Sequence, residues 1–518
     1  MIRKLLISLA LISAALVFFV AGLLFWPLQE MPETGNTGDF IIRNVGVVDV
    51  HKGRVWPDQE VIVRNGIIAS VGAVQTSWDQ HALIEIDGQG KFLIPGLWDM
   101  HTHSSKLAAQ YYHPLLIANG VTGVREMWGC MSEPDSFIAC IEDRRRWNSA
   151  LRDHSGLSPR FVLQGSFQIN GGNEVPAGFP DFFKARNPEE TSQLVEFYAD
   201  AGADFLKTYS ELSPASYAAL AIEARRRGVA MAGHRPLRVS LEQLLEAGQS
   251  SVEHPRLFLF ECHRYAAEFR ALPAPLAAYN HSLRQRLVEE QDTRRCDELI
   301  AAMANSDTWW VPTLQVLKMS ALAGDDTFRN DPRLKYIPYI IREGMWMGDA
   351  DRAASQAAAG TGANIYDSMY KMALAHVGQA HAAGVKILVG TDAGDTYVFP
   401  GFSVHRELAE LVAAGISPAA ALKAATIDAV SFSGAAEHYG SIEVGKAADM
   451  ILLDDNPLSA IANTEKIRGL FFNGRFYPRS DLDRLLSFTE RQAGSLQTNL
   501  QLLWAVMASP IMRVQIAD

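Results

Sequence analysis

Two textures of apolar and polar positions run along this chain. Between 40 and 91, short apolar runs such as Phe40-Ile41-Ile42 and Val61-Ile62-Val63 are broken by Asn65-Gly66 and Asp87-Gly88. Asn-Gly between apolar runs signals a tight hairpin, because both residues accept the positive φ that such a turn needs. The segment therefore predicts a small β module. Beyond Pro95 the texture changes to strand-like runs at 93–100, 123–127, 161–167, 204–209, 229–233, 251–253, 309–314 and 386–390, with helical stretches such as Leu241-Glu242-Gln243-Leu244-Leu245 between them. Eight strands alternating with helices predict an α/β fold, a closed (β/α)8 TIM barrel with its chemistry at the C-terminal strand ends. From 440 to 477 short strands return around Asn473-Gly474. This late piece is expected to complete the early one as a single small β-sandwich domain.

The pattern divides the chain into an apolar segment at 1–27, a linker at 28–39, a composite β-sandwich from 40–92 and 436–478, a barrel at 93–435 and a helical tail at 479–518. Two barrel connections, about 256–308 and 318–385, are too long for simple crossovers. They are expected to form either a lid over the catalytic face or a packing and dimerisation surface, so self-association stays open. The tail contains Leu502-Leu503-Trp504-Ala505-Val506-Met507, which either packs on the barrel or touches a bilayer.

Arg3 and Lys4 precede an uncharged run from 5 to 26. Roughly 20 apolar residues cross a bilayer, so a retained transmembrane helix is expected. The positive residues on its N-terminal side place the body outside the cytoplasm, in the periplasm of a bacterium. The alternative is a cleaved signal sequence ending at Val20-Ala21-Gly22, which would leave the apolar Leu23-Leu24-Phe25-Trp26 as the mature start.

Hydrophobic residues at 48% and charged residues at 20% exclude disorder for the chain as a whole. A net charge of −11 argues against nucleic acid as a partner, and the runs at 144–146 and 225–227 read as solvated helix faces. Cys130, Cys140, Cys262 and Cys296 are even in number and lack Cys-x-x-Cys spacing. Local disulfides, Cys130 with Cys140 and Cys262 with Cys296, are preferred over the other pairings.

Polar residues follow the barrel runs in series: His101 and His103, Arg125 and Glu126, Asn170 and Asn173, Lys207 and Tyr209, His234, His254, Gln315 and Asp392. His101 and His103 stand two apart on an extended strand and so share a face, a geometry suited to a metal.

The motifs Leu93-Ile94-Pro95-Gly96-Leu97-Trp98-Asp99-Met100-His101-Thr102-His103, Val389-Gly390-Thr391-Asp392-Ala393-Gly394 and Gly440-Ser441-Ile442-Glu443-Val444-Gly445-Lys446-Ala447-Ala448-Asp449 resemble the amidohydrolase superfamily. Within it they are most similar to the imidazolonepropionase-like and Xaa-Pro/Xaa-Arg dipeptidase-like branch. The resemblance implies two divalent metal ions, with zinc the expected ion. His101 and His103 would bind one, His234 and His254 the other, and Lys207, carboxylated by carbon dioxide, would bridge them. Asp392 would ligate the first ion and handle the proton while a metal-bridging hydroxide attacks the substrate carbonyl. Tyr209 would stabilise the oxyanion; its alternative role is packing at the barrel rim. The alternative for Lys207 is an ion pair with Asp392. Many relatives read Gly-Gly-His-Gly after the third strand, where this chain has Gly171-Gly172-Asn173-Glu174, so Asn173 becomes the candidate for holding substrate and the substrate class stays open. The expected function is hydrolysis of an amide or dipeptide C–N bond by a membrane-anchored binuclear enzyme. The alternatives are a mononuclear cyclic-amide hydrolase or deaminase, and a tethered binding protein without catalysis.

Overall fold

The computed structural model describes residues 2–73, 83–172, 174–358 and 364–517. Strands Leu97–Thr102, Val121–Glu126 and Arg160–Gln164 pair in parallel, as do Phe205–Thr208, Ala230–Gly233, Ser251–Glu253 and Trp309–Val311. The two groups join through parallel bridges from Gly165 to Phe205 and from Ile169 to Thr208. On the far side Ile387 bridges Trp310, Met100 N–H donates to Val389 O at 2.9 Å and Asp392 N–H to His101 O at 2.9 Å. These links close the ring as a TIM-type barrel. The eighth run is thus a short, singly bridged segment instead of a full strand. The third ends at Gln164, and the seventh at Val311, where Pro312 has no N–H for a ladder and Thr313 turns left-handed with φ 42°.

Local chemistry sets the crossover helices. Ser213 and Ser240 cap helices Pro214–Arg227 and Leu241–Ala247, accepting from the N–H of Ser216 and Gln243, and Gly228 (φ 68°) and Gly248 (φ 72°) end them in the left-handed region. A side-chain cap is worth about 1 kcal/mol, and glycine reaches that conformation without a steric penalty. Each strand is thereby followed by a helix of defined length, and the next strand end returns to the same face.

The second layer of structure is a curled sheet drawn from both ends of the chain. Phe92–Pro95 lies antiparallel to Met450–Leu453 and parallel to Asp39–Asp49, so the residues that enter the barrel are clasped between early and late strands. Phe40, Ile42, Val61, Val63, Leu93, Met450 and Leu452 form its core. Gly96 joins this sheet to the first barrel strand. A Cβ there would meet Thr122 Oγ1 at 2.3 Å, so only glycine permits the approach.

Disulfides link Cys130 with Cys140 and Cys262 with Cys296, the local pairing. The second one ties helices Leu257–Glu261 and Thr293–Ala304 in the first long insertion. The tail folds as helices Arg479–Gly494, Leu496–Ala508 and Pro510–Ala517.

Candidate metal centre

His101, His103, Lys207, Tyr209, His234, His254 and Asp392 all line one cavity of about 380 Å³ at the C-terminal strand ends. Ligand atoms of His101, His254 and Asp392 lie within 4.8 Å of one another. His103 joins them through Asp392 Oδ1, 2.6 Å from its Nε2, and His234 through His254, with the two Nε2 atoms 2.8 Å apart. Asn173 lies outside the described residues.

The tautomer of His101 follows from its neighbours. Its Nδ1 is 3.0 Å from Glu253 Oε2. Burial opposes the charge on Glu253, but the Arg125 guanidinium, 2.9 Å away, and the His101 bond outweigh it and hold the carboxyl at about 2. An ionised carboxylate only accepts, so Nδ1 carries a proton and Nε2 is the nitrogen turned to the cavity. That Nε2 is fully buried, has no hydrogen-bond partner among the described residues and sits 3.4 Å from Asp392 Oδ1.

His234 and His254 are held the same way from behind. Ser210 Oγ is 2.8 Å from His234 Nδ1, and Thr313 Oγ1 is 3.0 Å from His254 Nδ1. Burial keeps both rings neutral, lowering His254 to about 3 and His234 well below its ordinary value. Each Nδ1 thus faces a hydroxyl, and the two Nε2 atoms that meet in the cavity are the nitrogens a shared cation would take. His103 is lowered to about 4, by burial and by the Lys207 charge, against the pull of Asp392. Asp392 itself is held well below the usual carboxylate range; burial opposes this, and the surrounding imidazoles of His101, His103 and His254 outweigh it. Imidazoles around an ionised carboxylate form the donor set that zinc and similar divalent ions take.

Lys207 is 2% exposed, and among the described residues its Nζ makes no hydrogen bond and no ion pair. The ion pair with Asp392 considered from sequence is not formed. Burial lowers its amine to about 8, against the raising pull of Asp392, Glu253 and Glu126. The Tyr209 ring packs on His234, centroids 3.9 Å apart, while the residue also lines the cavity. Both roles considered for it are therefore compatible with its position. Burial, together with Asp392 and Asp395, raises its hydroxyl above the ordinary phenol value.

Sequence reasoning placed Arg125 in the strand-end series but passed over its partner Glu253 and several other residues. Glu253 and Arg125 form a buried layer under the metal donors, with Arg125 also reaching Ser251 Oγ at 2.7 Å and Met100 O at 2.6 Å. Strand alternation would send Glu253 and His254 to opposite faces. His254 has φ 78°, and this left-handed turn brings both side chains to His101. Asp99 accepts from Thr391 through its hydroxyl at 2.6 Å and its N–H at 2.9 Å, fixing the loop that carries Asp392. Met345 from the second insertion and Met512 and Gln515 from the tail also line the cavity. The place of Arg125 in the strand-end series and the Glu-His adjacency in 253–254 were the signals in the sequence.

Comparison with known proteins agrees with this geometry. The model of the "Amidohydrolase family" matches residues 340–476. An adenine deaminase of Lysinibacillus sphaericus is 38% identical over 88 residues, which is 17% of this chain and 14% of that protein. The chain thus matches only about a seventh of the curated relative's length. Among solved structures, the bottromycin amidohydrolase superimposes with a TM-score of 0.63 at 22% identity over 88% of this chain and 91% of its own. A Xaa-Pro dipeptidase with bound methionine gives 0.59 at 19% identity over 85% and 100%. These likenesses show a shared fold. The family match takes in the loop bearing Asp392 and the late strands of the composite sheet, and over most of its length the chain shares the fold of these solved structures.

Proposed function

We propose that the chain is a membrane-anchored hydrolase that uses divalent metal to cleave the C–N bond of a small amide, such as a dipeptide or an N-acyl amino acid. The observation that carries this reading is the convergence of four imidazoles, a buried carboxylate and a buried lysine on one cavity. His101, His103 and Asp392 would hold one ion and His234 and His254 a second, with Lys207 joining them as its carbamate. Only a neutral amine attacks carbon dioxide, forming the N–C bond and releasing a proton to solvent. An amine lowered to about 8 keeps a share of itself neutral near pH 7. When bound, the ions acidify a water and polarise the amide carbonyl.

The chain's own residues do the rest. Asp392, ionised and aimed into the cavity, accepts the proton of the attacking water and hands it to the leaving nitrogen. Glu253 holds His101 in its donor tautomer. Tyr209, kept protonated by burial, donates to the oxygen on which charge builds. The helix Leu6–Phe25, long and apolar enough to cross a membrane, would tether the body on the extracytoplasmic side.

The similarity to adenine deaminases supports a second reading, a mononuclear deaminase using the His101, His254 and Asp392 group with Lys207 unmodified. Metal analysis separates the two. The binuclear reading expects two ions per chain in the native protein, one in Lys207→Ala, and a rate reduced at least about a hundredfold in that variant. One ion per native chain at full activity, with Lys207→Ala unaffected, gives the deaminase. Turnover of N-acyl amino acids, dipeptides and purines by the metal-loaded chain assigns the substrate class.

A further inference from the structure

The tail helix Leu496–Ala508 carries no charged residue, and the charge-free stretch runs from 492 to 512 between Arg491 and Arg513. One side of it is packed on the body, where Thr498, Asn499, Leu502, Ala505 and Val506 are buried. The opposite side should be polar in a helix facing water. Instead Leu496, Leu500, Leu503, Trp504 and Met507, spaced i, i+4, i+7, i+8 and i+11, form one apolar stripe. Leu496 is 60% exposed, Trp504 53% and Met507 61%. Exposed Tyr339 stands beside this helix, because the adjoining Ile340 N–H donates to Asn499 Oδ1 at 3.0 Å.

The stripe continues another apolar surface. The end of helix Ile2–Phe25 rests on the tail helix: Gln501 Nε2 donates to Leu23 O at 3.0 Å and to Trp26 O at 2.9 Å, and the rings of Phe25 and Trp504 meet edge to face at 6.4 Å. A helix with mean hydropathy 2.6 and no part of its apolar window buried thus ends beside Trp26 and Trp504. Aromatic residues with an apolar body and a polar tip collect at the boundary of hydrocarbon and headgroups.

We propose that the Leu496/Leu500/Leu503/Trp504/Met507 stripe docks on the surface of the lipid bilayer. The proposal rests on the anchored reading of the N-terminal helix and adds a second, independent contact to it. Two contacts fix orientation where a single tether would not. The segments that flank the stripe also build the cavity rim: Tyr339–Ile341 runs into Met345, and Leu496–Ala508 into Met512 and Gln515. Docking therefore sets the mouth of the metal cavity beside the lipid surface.

The test uses the full chain in dioleoylphosphatidylcholine vesicles. In Trp26→Phe, replacing the lipid by its dibromo counterpart should still quench tryptophan emission, and Trp26→Phe/Trp504→Phe should lose that quenching. A protease site in the loop at 30–33 then lets the body be cut from the anchor. The cut body should float with the vesicles, and Leu496→Gln/Leu503→Gln/Met507→Gln should release most of it. Release of the cut native body, or retention unchanged by the three substitutions, overturns docking while leaving the anchor intact. A cut body that floats while the N-terminal fragment washes off removes the anchor and keeps the docking. An emission blind to bromolipid, with copies cross-linking through the stripe, assigns the face to a second copy of this chain and also overturns the proposal.

Discussion

Two buried polar layers lie one above the other inside the same barrel, and they differ in satisfaction. In the lower layer the Arg125 guanidinium spends its donors on Glu253, Ser251 Oγ and Met100 O, and Glu253 accepts from Arg125, Ser251 and His101. In the upper layer His101 Nε2 has no hydrogen-bond partner among the described residues, and the Nε2 atoms of His234 and His254 meet at 2.8 Å. Polar groups taken out of water must be paired or they destabilise the fold. A satisfied layer needs nothing further, whereas the unsatisfied one is complete only with a ligand from outside. The comparison separates structural polarity from chemical polarity without reference to any relative.

Substitutions sharpen that contrast. The largest effect is expected from Asp392→Asn, which removes the charge that collects three imidazoles. The rate of the metal-loaded enzyme should fall by about a thousandfold or more. The apo chain should also melt somewhat lower, because the folded state favours the ionised carboxyl, as thermal unfolding with and without metal will show.

Glu253→Gln reaches into the lower layer and should act mainly on stability. It strands the Arg125 charge, a loss of about 3–5 kcal/mol for a broken buried pair, and weakens metal binding about 10–100-fold by loosening His101. Arg125→Met/Glu253→Leu should restore much of the denaturant stability but not the affinity. Recovery of both together would erase the distinction between the layers.

The smallest effect belongs to a buried histidine outside both layers. His113 is fully buried against Trp147 and Phe161, neither ring nitrogen has a partner among the described residues, and burial alone lowers it to about 3. The unfolded chain binds its proton near pH 6.5, so this group's neutral form contributes stability in full above that value. The contribution is lost as pH falls from about 6.5 towards 3. His113→Phe should flatten part of the decline of melting temperature with acid and leave turnover unchanged. His376 and His405, each lowered by burial to about 4, account for some of the remaining slope.

Much of this architecture is legible in the chain before folding. Strand-like runs ending in His or Asp mark the barrel because side chains at strand ends share one face, and Asn65-Gly66 and Asn473-Gly474 mark the turns of the curled sheet. The Arg125–Glu253 layer escapes such reading, since it pairs strands that are neighbours only across the barrel interior. The eighth run at 386–390 reads as a strand from its apolar residues, yet it makes only the Ile387 bridge. Nor could any periodicity show that the tail returns to place Met512 and Gln515 at the cavity.

His254, Thr313 and Asp392 adopt φ of 78°, 42° and 65°, a region where a side chain costs about 1–3 kcal/mol and glycine sits freely. Each of the three either faces the cavity or steadies a ring that does. A descendant copy released from its duty would gain folding free energy by drifting to glycine at these positions, so they serve as a gauge of continued use. Their identity in any future homologue can be checked without an assay.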